Sequence, residues 1–435
     1  MKEAEFKVIL EDLTPKQRKV LQRFLRGDTD EAIADALYLE SSTIRRHLAN
    51  IGKAFKLNNE DGQHYSYREN LIGLFARFQP ELVSPEAMQG GLLKNLEFPG
   101  SPLSLNSVFY VERNPEEERS LREIIKPGAL IRIRAPQRMG KTSLLNRILA
   151  AAQSADIAVV RINLRQAELA VLETLDSFLQ WFCSNMSHRL NLVANLDEYW
   201  DAERFGSLSS CTVFIQSVIL EAFPQGIVLG LDDVDWLFEY EAIAQGFFTL
   251  LRSWHEEANN LEVWQRLRLV IAHSTEVYIP LQLNQSPFNV GLPIRLTELP
   301  ASQVRLLSMR YGLRWSIADE QNLMNLVGGH PYLLQLAFYH LQQGSWALQS
   351  LLQTAPTQAG IYRDHLRRLW QLLQEHPELQ QSFEQVIQAD SGMVLNPQMA
   401  YQLESVGLVK LTGDRATVTC DLYRQYFLRH PAVRS

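Results

Sequence analysis

A lysine and a threonine directly follow a glycine in Ala-Pro-Gln-Arg-Met-Gly-Lys-Thr, residues 135–142. Backbone N–H groups near Gly140 could converge on an anion, and the Lys141 ammonium could neutralise part of its charge. The Thr142 hydroxyl is a suitable oxygen ligand for Mg²⁺. A phosphate chain needs this combination because it carries several negative charges. These residue types and their spacing therefore predict a phosphate-binding loop.

The elements that must position this loop are visible on both sides of it. Residues 130–133 alternate in polarity like a strand, and leucine and isoleucine recur at helical spacing after Thr142. This strand, loop and helix fit a P-loop, although Ala135 occupies the place of the usual first glycine. The alternative is a chance Gly-Lys-Thr at the start of an ordinary helix. The expected nucleotide contacts are Ala135, Pro136, Gln137, Arg138, Met139, Gly140, Lys141, Thr142 and Ser143.

Two carboxylates end an apolar run downstream, in Gly-Ile-Val-Leu-Gly-Leu-Asp-Asp, residues 226–233. A buried parallel strand delivers such residues to the carboxyl edge of its sheet, where ligands bind. We expect Asp232 to hold Mg²⁺ together with Thr142, and Asp233 to polarise the attacking water. Asp233 and Lys141 are thus the predicted catalytic residues. Alone, the Asp-Asp pair is equally compatible with a turn.

A second apolar run, residues 266–276, also ends at polar residues. Ser274 and Thr275 are expected at the same sheet edge, as sensors of the γ phosphate. His273 is interpreted as a buried core histidine rather than a ligand. Earlier in the chain, Tyr110 is expected either to flank the nucleotide base or to pack on the first strand.

Composition limits the classes of function. The chain has 435 residues, a net charge of -7 and three cysteines. This length predicts two to four domains, and the acidic balance excludes a uniformly basic nucleic-acid coat. The cysteines are odd in number and form no CxxC pair, which favours a reducing compartment. No apolar run reaches the length of a membrane span. We therefore expect a cytoplasmic protein with no membrane partner.

The amino-terminal part predicts three short helices within residues 13–57. Thr14, Thr29 and Ser42 are candidate N-caps, and the third helix places its apolar residues on one face. Such a trihelical arrangement suits a helix-turn-helix. The residues expected to contact duplex DNA from its opposite face are Thr43, Arg45, Arg46, His47, Asn50 and Lys53. A solvated basic face is the alternative, since residues 1–90 hold 13 basic and 14 acidic side chains.

Residues 13–55 resemble the LuxR-type helix-turn-helix, with Thr43, Ile44, Arg45, Arg46 and His47 at the family's Thr-Val-Lys-x-His pattern. Residues 1–83 also resemble the amino-terminal helix-turn-helix of vWA-MoxR-associated proteins. That resemblance implies a signalling context in which this module contacts either DNA or a protein.

From residue 107 to the end, the chain resembles the AAA-like ATPases that are common in cyanobacteria and border the STAND signalling NTPases. The matching strings include RAPQRMGKTSLL, LDDVDWLF, GGHPYLLQLA and CDLYRQYF. The resemblance implies that His330 and Pro331 approach the bound base. Asp233 replaces the family's more usual glutamate, which implies slow hydrolysis.

The expected fold is an α/β P-loop NTPase with a doubly wound, mostly parallel sheet. An all-α helix-turn-helix precedes it, and a helical lid and a winged helix follow it. The expected boundaries are 1–83 for the helix-turn-helix, 84–107 for a linker, 108–298 for the NTPase domain, 299–355 for the lid and 356–435 for the winged helix.

These features predict an ATP-binding switch that hydrolyses ATP slowly and regulates transcription or signalling, with ATP or ADP and Mg²⁺ as cofactors. Duplex DNA is the expected partner of residues 1–83, and protein partners or self-assembly are further possibilities. The alternative is a defence-type signalling NTPase whose helix-turn-helix docks a protein. A scaffold that holds its nucleotide permanently is a third hypothesis.

Overall fold

The computed structural model describes residues 1, 3–57, 66–90, 93, 96–274, 287–389 and 391–430. The chain forms two compact units. The first comprises Met1–Val111 and Leu299–His365, and the second comprises Glu112–Glu298 and Leu366–Ser435. Nowhere in the described ranges is a helix long and apolar enough to cross a membrane.

The elements are numbered in chain order. Helices α1–α6 are Glu3–Asp12, Pro15–Leu25, Asp30–Leu37, Ser41–Ala54, Ser66–Phe78 and Pro85–Gly90. Helices α7–α13 are Glu116–Glu123, Lys141–Gln153, Leu175–Arg189, Ala202–Phe205, Ser207–Phe214, Glu241–Glu257 and Glu262–Gln265. Strands β1–β5 are Leu130–Arg134, Ala158–Asn163, Ile227–Asp232, Leu267–His273 and Leu292–Arg295. Helices α14–α21 are Ala301–Arg310, Ile317–Val327, Pro331–Gln342, Leu348–Thr354, Arg363–Glu375, Pro377–Gln388, Pro397–Val406 and Asp421–Arg429. Strands β6–β8 are Met393–Val394, Val409–Thr412 and Arg415–Val418.

The second unit is built on a parallel sheet in the order β2-β3-β4-β1-β5. Strands β3 and β4 are buried at every residue, which fits their mostly apolar sequences, with Arg268 as the charged exception inside β4. Strand β1 lies between β4 and β5, so the loop that follows it emerges inside the sheet rather than at an edge. The predicted α/β P-loop fold is confirmed, and β5 is a strand that the sequence did not indicate.

Helix α8 packs directly on strand β3. A side chain at Gly230 of β3 would meet Leu145 and Leu149 of α8 at 3.1–3.2 Å. Glycine at this position therefore allows the helix to approach the sheet closely. That approach brings the start of α8 and the end of β3 together, and both carry predicted site residues.

The amino-terminal helices form their own core. Phe6 of α1 is fully buried and packs against Phe55, Phe75 and Phe78, with ring centroids 4.9–5.4 Å apart. Helices α2–α4 are the expected three, and α2 begins with a Thr14–Gln17 capping box. The sequence did not indicate α1.

The predicted N-cap of the third helix is wrong. Helix α4 begins at Ser41 after Glu40, which makes no side-chain cap bond. The Ser42 hydroxyl instead bonds to the Glu40 carboxylate at 3.2 Å. Tyr38 adopts a left-handed conformation with φ 53° and ends α3, and the chain enters α4 two residues earlier than an N-cap at Ser42 requires.

The expected linker contains packed structure. Helix α6 lies within residues 84–107, and its Ala87 and Met88 are buried in the amino-terminal core. In the same unit, Arg310 of α14 is 5% exposed and donates to the carbonyl oxygens of Arg77 and Tyr110, both at 2.6 Å. The first helix of the expected lid is thus bonded to α5 and to the backbone at Tyr110.

The carboxyl-terminal part has a small antiparallel sheet in the order β6-β8-β7, with α19, α20 and α21 packed around it. Strands β7 and β8 are joined at Gly413 and Asp414, where the sequence predicted a turn. This arrangement of short strands and helices matches the predicted winged helix.

Candidate functional site

The loop after β1 has backbone conformations that suit anion binding. Arg138 and Gly140 have positive φ values of 61° and 96°, and Gly140 caps the start of α8. Open space surrounds the position of a Gly140 side chain, so the glycine is needed for its conformation rather than for room. The Lys141 ammonium folds over the loop and donates to the carbonyl oxygens of Ala135 and Pro136 at 3.0 and 2.9 Å.

Thr142 and Asp232 meet beneath this loop. The Thr142 hydroxyl oxygen lies 3.1 Å from each carboxylate oxygen of Asp232. Asp232 is 2% exposed at the end of β3, and one oxygen accepts the backbone N–H of Asp233 at 3.2 Å. Two oxygen ligands from distant parts of the chain are therefore close enough to share one hard cation.

Asp233 has a different environment from Asp232. Its φ is 51°, in the left-handed region, and it begins a turn of 3-10 helix. One carboxylate oxygen accepts from the Asn163 amide at 2.9 Å and lies 3.8 Å from the Arg165 guanidinium. The end of β2 thus holds the side chain that was predicted to activate water.

Ser274 is engaged by a third acid, Asp235. The Ser274 backbone N–H and hydroxyl donate to the Asp235 carboxylate at 2.8 and 3.2 Å. Burial raises the pKa of Asp235, while the Ser274 N–H and the Lys141 charge act in the opposite direction. The predicted sensor hydroxyl is therefore held by an acid near the loop. Thr275 lies outside the described residues.

His273 is a core residue. It ends β4, where it pairs with Arg134 in β1, and its ring lies 4.7 Å from that of Phe288. Burial lowers its pKa to about 3, and the positive charges of Arg134, Lys141 and Arg132 contribute further. The imidazole is therefore neutral near neutral pH, as the core interpretation requires.

Helix α20 of the winged helix approaches the loop. A side chain at Gly407, just after α20, would lie 2.9 Å from Pro136, and Gly407 itself has φ 87°. Arg134 donates to the Ser405 hydroxyl at 3.2 Å and lies 4.8 Å from the centre of the Tyr401 ring. The end of β1 and the first turn of the loop are therefore covered by the winged helix.

Three predicted nucleotide contacts belong to the other compact unit. Tyr110 is buried, and its carbonyl oxygen accepts from Arg310. His330 precedes α16, which begins at Pro331, and the buried His330 ring lies 5.6 Å from that of His365. Their approach to a nucleotide stays a prediction.

Sequence reasoning missed Arg161, Asn163 and Asp235. Arg161 lies in β2, and its guanidinium contacts Asp232 at 2.6 Å. The available signal was a pair of polar residues in an otherwise apolar strand, Arg-Ile-Asn, and a third acid after Asp-Asp. Neither signal identifies the partner, because the contacts cross between strands.

The predicted DNA-contacting side chains lie on α4. Arg45, Arg46, Asn50 and Lys53 are exposed, while Thr43 and His47 are half-buried. Arg45 lies 3.4 Å from Asp30 of α3, and Asp30 also pairs with Arg68 of α5 at 3.0 Å. One of the two adjacent arginines is therefore partly neutralised.

Comparison with families and solved structures places this geometry among known proteins. Residues 11–62 match the bacterial regulatory proteins of the luxR family. The Walker-type ATPase PABY2304 of Pyrococcus abyssi superposes with a TM-score of 0.52 at 12% identity, over 77% of this chain and 99% of that one. The Aeropyrum pernix ORC2 protein, solved as ADPNP-ADP complexes, gives 0.44 at 14% identity, over 77% and 96%.

The likeness to PABY2304 supports the P-loop ATPase fold alone. The likeness to the ORC2 protein is too distant to support an argument. No curated protein matches the chain. Residues 98–429 match the AAA-like domain. Because this match covers most of the 435 residues and includes both the loop and the acidic strand, the protein belongs to the AAA-like domain family.

Proposed function

We propose that this protein is an ATP-binding switch that hydrolyses ATP slowly and regulates transcription or signalling through its amino-terminal helix-turn-helix. The observation that carries the proposal is the meeting of the Thr142 hydroxyl and the Asp232 carboxylate under a loop with left-handed Arg138 and Gly140.

The residues fit Mg²⁺ bound jointly with nucleotide. Mg²⁺ prefers oxygen ligands and usually takes one or two from the protein and the rest from phosphates and water. Thr142 and Asp232 supply two such oxygens. Among the described residues, no group of three or more His, Cys, Asp or Glu side chains could hold a metal. The metal would therefore arrive with the nucleotide and help to neutralise its phosphates.

Slow hydrolysis follows from the identity and environment of Asp233. Its side chain is one methylene shorter than glutamate, and small misplacements of a catalytic group carry large rate costs. The Asn163 amide also holds the carboxylate at 2.9 Å. We expect Asp233 to polarise water poorly until this bond changes, so that the bound nucleotide persists long enough to report a state.

The contact between the loop and the winged helix provides a means for nucleotide to control conformation. Pro136 faces Gly407, and Arg134 contacts Ser405 and Tyr401. A phosphate chain that enters the loop would alter the surface against which α20 packs. We infer that nucleotide state changes the packing of the winged helix and lid, and so exposes or hides the helix-turn-helix or an assembly surface.

A direct test begins with the purified full chain, whose bound nucleotide is identified by chromatography after denaturation. Its mass in solution and its affinity for duplex fragments from around its own gene are then measured with ADP and with ATP. We expect nucleotide to bind and to change mass or DNA affinity. Gly407→Ala, which would press on Pro136, should reduce the difference between the two nucleotide states, whereas Gly413→Ala in the distant β7–β8 turn should not.

Two observations favour a second candidate, in which the helix-turn-helix docks a protein, as its resemblance to vWA-MoxR-associated modules implies. Asp30 partly neutralises Arg45, and Tyr38, next to α4, is 95% exposed. Exposed aromatic residues are frequent at protein interfaces. Failure to bind DNA at low salt in either nucleotide state would favour this candidate.

A further inference from the structure

Arg161 places a positive charge beside the acid expected to serve the metal. It lies on β2, the strand that pairs with β3. One nitrogen of its guanidinium donates to Asp232 at 2.6 Å, and another donates to the Asn146 side chain of α8 at 3.0 Å. The Arg161 side chain is 34% exposed and that of Asp232 is 3% exposed. The positive charge of Arg161 is therefore held beside Asp232, next to the helix that follows the phosphate loop.

The Asp232 carboxylate is already satisfied by the chain itself. Arg161 and Thr142 donate to one oxygen, and Thr142 and the Asp233 backbone N–H lie within hydrogen-bond distance of the other. A second cation at this carboxylate must share it with Arg161 or displace the guanidinium. Like charges repel strongly where water is scarce, so Arg161 opposes Mg²⁺ at this point.

The same guanidinium favours phosphate. Its planar fork of N–H donors suits phosphate oxygens. Its two terminal nitrogens make the contacts with Asn146 and Asp232, and each carries a second N–H for which a phosphate oxygen is a suitable acceptor. Its bond to Asn146 anchors it one helical turn beyond Thr142, on the helix that the loop begins.

We propose that Arg161 is a resident cation of the nucleotide site, which partly replaces Mg²⁺ in neutralising the phosphates and lowers the affinity of the site for the metal. This inference rests on the proposed binding of nucleotide. Its consequence is a protein that retains ADP or ATP with little dependence on Mg²⁺. Arg161 is a nucleotide-binding residue in this account, since it acts on the phosphates and on Asp232 rather than on the attacking water.

The test is the Mg²⁺ dependence of nucleotide affinity. ADP and ATP are titrated into the full chain by calorimetry, once with excess Mg²⁺ and once with EDTA. For the wild type we expect the two affinities to differ by less than about tenfold, because a charge-assisted bond supplies an effect of that size or more. In Arg161→Gln, the nucleotide affinity measured in EDTA should fall, and the affinities with Mg²⁺ and with EDTA should differ by more than about 30-fold.

Three variants separate this role from simple loss of charge or of structure. Arg165→Gln removes the same charge beside Asp233 rather than Asp232, and should change the Mg²⁺ dependence by less than about threefold. Arg161→Lys keeps the charge but not the planar fork, and should give an intermediate value. Asp232→Asn releases Arg161 and removes the metal ligand, so affinity in EDTA should be kept and the effect of Mg²⁺ lost.

The outcomes are distinguishable. An Arg161→Gln protein with wild-type Mg²⁺ dependence overturns the inference, and the proposed nucleotide site survives. If that variant does not fold, the wild type decides: a loss of more than about 100-fold in affinity on removing Mg²⁺ overturns the inference. A wild type that binds neither nucleotide in either buffer overturns the proposed function and this inference together.

Discussion

The phosphate loop and helix α4 were both indicated by short motifs, yet they are built differently. The loop region brings together Lys141, Thr142, Arg161 and Asp232 from three segments of the chain. Helix α4 presents its predicted contacts from one exposed surface. A site assembled across strands depends on tertiary structure for its geometry, whereas a helical face depends mainly on local sequence.

The two regions also differ in how their charges are compensated. Asp232 is buried and bonded to Arg161 and Thr142, so removing any one partner leaves a buried charge less well satisfied. In the ion pair of Arg45 with Asp30, the arginine side chain is half exposed to water, whereas that of Asp30 is 13% exposed. Exposed ion pairs contribute little and are screened by salt. We therefore expect substitutions in the loop region to have larger effects than those on α4.

The largest expected effect is that of Lys141→Ala on nucleotide affinity. Its ammonium is held over the loop by the Ala135 and Pro136 carbonyl oxygens, in position to meet phosphate. Loss of a charge-assisted contact of this kind should weaken ATP binding by about 100-fold. Calorimetric titration measures this, with Lys126→Ala on the exposed surface as the matched control. Equal affinity in wild type and Lys141→Ala would remove Lys141 from the site.

The second largest effect should be that of Asp233 substitutions on the rate of ATP hydrolysis. General bases usually contribute about 100-fold or more, but we expect Asp233→Asn to lower turnover by about 30-fold because the short Asp233 side chain is poorly placed. Asp233→Glu should keep or raise the rate. Turnover of the wild type should be below about 1 per second. Phosphate release under saturating ATP tests both variants, and an asparagine variant as fast as wild type would mean that another residue activates water.

Acid should destabilise the unit that carries the loop. The folded pKa of His273 is about 3, against about 6.5 in the unfolded chain. Below pH 6.5 the unfolded state therefore binds a proton that the folded state does not, and stability falls as pH falls towards 3. We expect a loss of about 2 kcal/mol between pH 7 and pH 5. Urea unfolding followed by tryptophan fluorescence should show it.

The control for this prediction is a comparison of two histidines. In His273→Leu, the acid-induced loss of stability should shrink by most of that amount. The same change at the exposed His188 should leave the pH dependence unchanged. An unaltered pH profile in His273→Leu would assign the acid sensitivity to other groups.

On the helix-turn-helix, effects should be smaller and should depend on salt. Arg45→Ala and Arg46→Ala together should weaken duplex DNA binding by about tenfold at low salt and lower the salt slope by about one unit for each lost phosphate contact. Fluorescence titration at several salt concentrations measures both quantities. A slope identical to that of wild type would show that neither arginine touches phosphate.

The smallest expected change is an increase in DNA affinity. Asp30→Asn releases Arg45 from its ion pair, and should raise DNA affinity by about twofold. Asp35→Asn removes the same charge from an exposed position of the same helix and serves as the control. Equal gains in the two variants would mean that net charge, rather than the contact with Arg45, sets the affinity.

The sequence by itself determined the elements whose signals are local. The loop of residues 135–142 needs its glycine, lysine and threonine side by side, and the buried strand that ends at Asp232 is apolar along its whole length. The first two helices of the helix-turn-helix follow from caps and apolar spacing, and the third follows from apolar spacing alone. Backbone conformation and side-chain type specify such features within a few residues, so they can be predicted without knowledge of the remaining chain.

Only the tertiary structure decided which side chains meet. The order β2-β3-β4-β1-β5 brings Arg161 and Asn163 of β2 to the two acids at the end of β3, and places Ser274, after β4, against Asp235. The approach of Gly407 to Pro136 likewise joins segments that are far apart in the chain. Strand order and domain packing arise from the burial of the whole core, which no local pattern encodes. For that reason the candidate phosphate-binding residues could be identified in the sequence, but the partners that hold them could not.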